Sequence, residues 1–293
     1  MGGRGPKRTY RPDMTPPTLH GEHPPGIASP HLRCGQIGAF DAPDLKRWAR
    51  LAEALMPELT VTIGLGASFF AVRRGRPVGL RPLPAFPGDA LDEARCGGAA
   101  CVLVCSDEPH DVLGEFGEPR WTRSGERTPD GALGFRDGTM NPRRPLDLDE
   151  HVWVATNDRT EMLGGTYLVV RDIEIEPTWH ALDAHAQERI IGRDKTSGAP
   201  LGGTRLFEKP KLEILPEDAH IRQASPRTSG VTILRRGYDT PQGLLFLAFM
   251  KDPRRQFVPL QQRLSTHDAL HPHTTVRGSA VFAVPRNPLL YAQ

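Results

Sequence analysis

The feature that most constrains this chain is a rhythm of elements in its second half. "TYLVVRDIEI" has the β-branched and apolar density of a strand, and "TWHALDAHAQERIIGR" sets Trp179, Leu182, Ala186 and Ile190 along one side of a helix. "GVTILRRGY" and "GLLFLAFM" read as two strands joined by a tight turn. "DPRRQFVPLQQRLS" offers Phe257, Leu260 and Leu264 to one face of a second helix, and "GSAVFAV" closes as a strand. With one further strand expected inside the irregular segment 193–229, the order is β, α, β, β, α, β. That is the split βαβ arrangement of a ferredoxin-like sheet.

The first half starts on the same rhythm. A short strand from Cys34 to Phe40 leads into "DAPDLKRWARLAEALM", where Asp41 can cap and Leu45, Trp48, Ala49, Ala52, Leu55 and Met56 recur at helical spacing. "LTVTI" and "CVLVC" follow as strands. From Asp107 to Asp137, glycine, proline and charge leave no second helix, so this unit is incomplete. A 293-residue chain has room for two cores. The expected fold class is therefore α+β, with duplicated ferredoxin-like domains, antiparallel sheets and helices on one face of each. The expected divisions are a flexible N-terminal arm at 1–25, a shortened first domain at 26–145 and a second domain at 146–293.

Charge excludes several partners. The 37 basic and 35 acidic residues balance to +2 without a block of one sign, so neither nucleic acid nor a membrane surface is an expected partner. No stretch approaches the roughly 20 apolar residues of a membrane span. The basic, proline-rich start lacks the apolar run of a secretory signal, and a cytoplasmic location is expected. Cys34, Cys96, Cys101 and Cys105 form neither a CxxC pair nor a regular framework, and alternation puts Cys101 and Cys105 on one strand face. Reduced structural thiols follow. Oligomeric state is left open by the sequence, a homo-oligomer included.

Three short runs imitate chemistry. "GLGASF" begins like a dinucleotide fingerprint, but phenylalanine stands at the third glycine and no helix follows. "HDALH" sets His267 and His271 four apart with an acid beside the first, as in a zinc-protease helix; aspartate is a methylene shorter than glutamate, and Pro272 stops the helix at once. "GFRDGTMNPR" puts the carboxylate of Asp137 on a turning loop, although Asp-Gly is also a common ordinary turn. His220 lies within the irregular segment, with Arg222 and Arg227 close behind it and Arg235 further on in "VTILRRG".

Taken in order, Gly134-Phe135-Arg136-Asp137-Gly138, "GTMNP", "GGTYLVVR", "IIGRDKTSGAPL", "DAHIR", "ILRRGY", "GLLF" and "GSAVFAVP" resemble the dye-decolourising peroxidase family, whose hallmark is GxxDG. The likeness runs from "GEHPPGI" to "YAQ". It implies two ferredoxin-like domains with the haem pocket mainly in the second, and haem b (iron protoporphyrin IX) as cofactor. Hydrogen peroxide and an organic electron donor are the implied partners. By the same resemblance His220 is the proximal ligand to iron, Asp137 the distal acid and Arg235 the distal cation. Gly138, Thr139 and Met140 would line the haem edge, Ser225, Pro226 and Arg227 would stand at a propionate, and Phe246 of "GLLF" would be among the cofactor-binding residues. Alternation alone leaves Arg235 and Arg236 undecided, since either strand face can be the inner one.

These residue types suit the implied chemistry. An imidazole tied back by a carboxylate or carbonyl is a strong axial donor. A carboxylate can carry a proton between peroxide oxygens, and a guanidinium can stabilise the charge that builds on the departing one. The expected function is peroxide-dependent oxidation of organic donors, bulky, dye-like or phenolic, through a ferryl intermediate. Surface transfer would use an aromatic such as Trp121, Trp153, Trp179, Tyr167 or Tyr238, none of which the sequence singles out. The alternative is a haem-binding carrier or sensor of the same fold that has lost turnover.

The chain also departs from the family pattern. It runs through "HDVLGEFGEPRW" where relatives carry a helix, lacks the basic residue before GxxDG, and shortens the connection after "RRGY" to "DTPQ". "GEHPPGI" has prolines where the family usually shows glutamine and a small residue. These changes bear on haem access and subunit contacts more than on iron ligation.

Overall fold

Local periodicity builds most of the elements in the computed structural model, which describes residues 19, 21–56, 58–71, 73, 75–136 and 139–292. The first half contains β1 (Cys34–Phe40), α1 (Leu45–Leu55), β2 (Thr60–Gly66), β3 (Ala100–Ser106) and β4 (Trp121–Glu126). Helix α1 buries Leu45, Trp48, Ala49 and Ala52. Its cap is Asp44 rather than Asp41: a capping carboxylate must reach the first-turn amides, and Asp44 accepts from Arg47 N at 3.0 Å. Asp41, too far upstream, instead accepts from Arg120 at 3.2 Å. Strand β4 lies where sequence reading placed none. Its polar run "WTRSGE" becomes a strand by pairing with β1 from Trp121–Ala39 to Glu126–Cys34.

The second half contains α2 (Pro145–His151), β5 (Thr166–Ile175), α3 (Pro177–His180), α4 (Ala184–Ile191), α5 (His220–Gln223), α6 (Pro226–Ser229), β6 (Leu234–Thr240), β7 (Gly243–Met250), α7 (Phe257–His267) and β8 (Thr274–Val284). The single helix expected from Thr178 breaks in two because Asp183 starts a new one, accepting from Ala186 N at 2.8 Å. Segment 193–229 holds no strand, only short helical turns and an isolated bridge between Arg193 and Pro200. None is needed, since β5, α4, β6, β7, α7 and β8 already complete the ferredoxin-like order.

The two halves repeat one topology. In space the first four strands run β4, β1, β3, β2 and the second four β8, β5, β7, β6, the same 4-1-3-2 order, with every pairing antiparallel. Their edges meet at β2–β8, through Leu65–Ala283 and Gly66–Phe282, and at β4–β6, through Glu126–Asp239. Eight strands thus close into a barrel, which leaves no open sheet edge. Its interior is filled by alternate residues of both halves, among them Ile37, Leu103, Leu168, Leu247, Phe249 and Phe282. On the outside, α1 packs Trp48 against the first half, and α7 packs Phe257 and Leu260 against Val169, Ala248 and Met250 of the second.

Of the arm expected at 1–25, residues 1–18 and 20 lie outside the described residues. The described part is packed rather than loose: Leu19 is 2% exposed in the core and His23 stacks on Trp153 at 4.0 Å. Apolar surface at Leu19 holds it down. All four cysteines are free thiols, with Cys101 and Cys105 sharing the barrel-facing side of β3. Among the described residues no helix is long and apolar enough to cross a membrane.

Candidate active site

Helix α5 begins at His220. The imidazole Nδ1 lies 2.6 Å from Asp268 Oδ2, and the Asp268 side chain is 4% exposed. Asp268 follows the last residue of α7, and its Oδ1 accepts from Leu270 N at 2.9 Å, so both carboxylate oxygens are engaged. With Nδ1 engaged, Nε2 is the ring nitrogen that could serve a metal ion. In "HDALH" the residue that matters is therefore Asp268, as the partner of a distant histidine. Among the described residues no group of three or more His, Cys, Asp or Glu gathers as a metal site.

Asp137 and Gly138 lie outside the described residues, but the loop is held on both sides of them. Before it, Asp239 of β6 accepts from Thr128 N at 3.0 Å and Ala132 N at 2.7 Å. Phe135 joins the apolar cluster of Trp179, Ile190, Ile191 and Leu270, against which Ile221 and Ala269 also pack. That cluster brings the loop to α5 and to the turn after Asp268. Beyond the loop's tip, Thr139 Oγ1 accepts from the buried Arg193 at 2.8 Å. Asn141 then behaves like a strand partner of Arg235, its Oδ1 accepting from Arg235 N at 3.1 Å and its Nδ2 donating to Arg235 O at 2.7 Å. One strand, β6, thus anchors both ends of the loop.

The same strand separates its two arginines. Arg236 turns to the barrel side, 4% exposed, and its guanidinium donates to Ile27 O at 2.7 Å, to Pro30 O at 3.3 Å and to Ser29 O. Burial lowers its proton affinity, and its role is to pin the segment before β1. Arg235, half-buried, pairs across from Ala248 on the opposite face, the face that α7 covers. Alternation could not distinguish the two, because the segment that occupies Arg236 is remote in the chain.

The remaining expected residues are spread around this centre. Ser225 caps α6, accepting from Arg227 N at 3.3 Å ahead of Pro226. Arg227, Gln223, Arg263 and Asp268 wall a cavity of about 940 Å³. Neither Arg235 nor Thr139 lines it, so it adjoins the site rather than containing it. Met140 is 43% exposed, and Phe246 is half-buried beside Phe257 at 6.4 Å. Trp121, Trp153, Trp179, Tyr167 and Tyr238 are all buried, so none offers a surface ring. The donor set nonetheless fits a haem: a carboxylate-tied imidazole, apolar side chains at half-buried Phe246 and Leu264, and guanidinium donors such as Arg227 for carboxylates. Sequence reading missed Asp268, Asn141 and Arg193, whose partners are long-range.

Comparison with known proteins places these residues in a family. Residues 44–115 match the profile of the Dyp-type peroxidase N-terminal domain, and residues 128–288 that of its C-terminal domain. The chain is 34% identical to the dye-decolorizing peroxidase of Thermobifida fusca (strain YX), over 83% of this chain and 68% of that protein. It is 32% identical to the deferrochelatase of Yersinia pseudotuberculosis serotype I (strain IP32953), over 76% of this chain and 63% of that one. It therefore spans about two thirds of the length of these relatives. Among solved structures, DtpA from Streptomyces lividans in an oxyferrous/water mixed complex superimposes with a TM-score of 0.84 at 32% identity, covering 92% of this chain and 93% of that one.

Proposed function

Because the chain belongs to the Dyp-type peroxidase family, we propose that it is a haem-dependent peroxidase that reduces hydrogen peroxide at the expense of organic donors. The observation that carries this reading is the 2.6 Å contact between His220 Nδ1 and the buried Asp268 carboxylate. An imidazole so held is a strongly donating axial ligand with a fixed ring plane. Haem, when bound, supplies the iron at which peroxide is split and the oxidising equivalents that follow.

His220 would ligate through Nε2, and Arg227 would take a propionate. Asp137 would accept the peroxide proton on its carboxylate and return it to the departing oxygen. Arg235 would stabilise the negative charge on that oxygen, with Asn141 fixing the backbone from which its guanidinium extends. The balance is one hydrogen peroxide and two donors AH giving two waters and two A radicals. Phenolic and bulky dye-like donors suit one-electron loss of this kind.

The test is spectroscopic. Haem-reconstituted protein should show a histidine-ligated Soret band that His220→Ala loses, and stopped-flow mixing with peroxide should shift that band within milliseconds. Asp137→Ala or Arg235→Leu should keep the resting band and slow the shift by roughly 100-fold or more. A Soret band inert to peroxide in the unmodified protein would overturn the peroxidase in favour of a haem carrier.

A further inference from the structure

Tyr238 and Cys105 meet inside the barrel. Tyr238 lies on β6 and Cys105 on β3, so their contact joins the second half of the chain to the first. The phenol donates to Cys105 Sγ at 3.2 Å, and the two residues are 0% and 3% exposed. Gly35 of β1 sits opposite Cys105 in the sheet, and the Tyr238 ring occupies the space that a Cβ on Gly35 would need. The His31 ring stands perpendicular to that of Tyr238, with centroids 4.9 Å apart. The phenol is thus clamped with one edge beside the sulfur. A hydrogen-bond acceptor sits off the C–O axis, which leans Sγ toward an ortho carbon, one of the Cε atoms.

Arg236 stands two residues earlier on the same face of β6. Its guanidinium donates to backbone carbonyls of the segment before β1, and its Nε has no hydrogen-bond partner among the described residues. A buried cation with neutral partners therefore borders the phenol and the thiol. Burial keeps both groups protonated, while the cation draws them toward their deprotonated forms. Such a charge eases the loss of a proton as an electron leaves. Arg235 projects from the other face of the same strand, so β6 runs between this pair and the candidate site.

We propose that Tyr238 and Cys105 are a site of covalent self-modification, joined by a thioether between Sγ and an ortho carbon of the phenol when peroxide reacts in the absence of an organic donor. The inference rests on the peroxidase reading and adds an internal electron donor to it. The Sγ–Cε bond forms while the S–H and Cε–H bonds break. The two electrons released reduce one hydrogen peroxide, and the two protons complete two waters. The phenol keeps its own O–H. No oxygen is added to sulfur, in contrast to the ordinary passage of an oxidised thiol through sulfenic to sulfinic acid. The product is a permanent tie between the two halves of the barrel, made by the protein's own turnover.

Mass spectrometry of the haem-loaded protein decides it. After a few equivalents of peroxide without donor, the protein is unfolded, reduced, alkylated with iodoacetamide and cut with trypsin, which releases Cys105 on peptide 96–120 and Tyr238 on peptide 237–251. The two should appear as one species, lighter than their sum by two hydrogen atoms and resistant to dithiothreitol. Fragmentation should place the link at Cys105 and find Cys101 alkylated. Tyr238→Phe and Cys105→Ser should each abolish the linked species, Cys101→Ser should keep it, and excess methoxyphenol should suppress it by supplying the electrons instead. Separate peptides, or Cys105 recovered as a sulfinic acid, in a protein whose Soret band does shift with peroxide overturn the cross-link and leave the peroxidase reading standing. A Soret band inert to peroxide overturns that reading and this inference with it.

Discussion

Both oxygens of Asp268 have partners, Oδ2 in His220 Nδ1 and Oδ1 in Leu270 N, so an amide at this position keeps the shape of the site and loses the charge. Asp268→Asn should retain haem, raise the ferric/ferrous potential in a redox titration, and slow the peroxide reaction by about 10–100-fold. A purely structural residue would lower haem occupancy without moving the potential. Asn141 makes a different prediction. Asn141→Ala removes two hydrogen bonds to Arg235, at about 1 kcal/mol each, so thermal melts should show a modest loss of stability. The peroxide-induced Soret shift should slow well beyond what that loss explains, because Arg235 and the Asp137 loop would no longer be fixed to each other. His220, Asp137 and Arg235 could be named from motifs. Asp268 could not, because its partner lies 48 residues away and "HDALH" suggested a local pairing.

Single elements carry their own tests. Gly66 of β2 has an ordinary φ, yet a Cβ there would come within 2.0 Å of Gly98 O. Gly66→Ala must therefore push the end of β2 away from the Gly98–Ala99 backbone that leads into β3, at a cost of roughly 3 kcal/mol and a clear fall in Tm. That is what the second glycine of "GLGASF" does: it permits close packing. Glu174, near the end of β5, accepts from Arg277 at 2.8 Å and Arg95 at 3.2 Å, and these guanidinium contacts hold its carboxyl below the ordinary value of 4.5. A depressed folded value stabilises the protein above 4.5, and the contribution is lost as pH falls through the folded value. Glu174→Gln should thus flatten the acid limb of a Tm-against-pH curve while leaving its neutral plateau lower. Helix α1 and strand β3 were legible because their apolar spacing is written locally. Strand β4 was not, since "WTRSGE" becomes a strand through its neighbour.

At the scale of the whole molecule, closure into a barrel buries groups that neither half could hide alone. Cys101 and Cys105 face the shared interior, where burial pushes both thiols above their ordinary value of 9.0. Iodoacetamide at pH 8 should spare them and label the half-buried Cys96, with mass spectrometry reading the difference; labelling of Cys105 under native conditions would mean that the β4–β6 seam opens. The sign for stability follows from the same burial. The unfolded chain loses these protons first, so stability falls as pH rises past 9.0.

The sequence by itself determined the repeated element order and the ferredoxin-like class, because periodicity is a property of neighbouring residues, and its likeness to the family supplied the residues proposed for axial ligation and proton transfer. Tertiary structure decided which arginine of "LRR" is taken up by the segment before β1, which acid holds His220, how the hallmark loop is anchored to β6, and that two half-sheets close into one barrel. Those outcomes depend on contacts between distant segments, and such contacts are set by which faces pack together and exclude water.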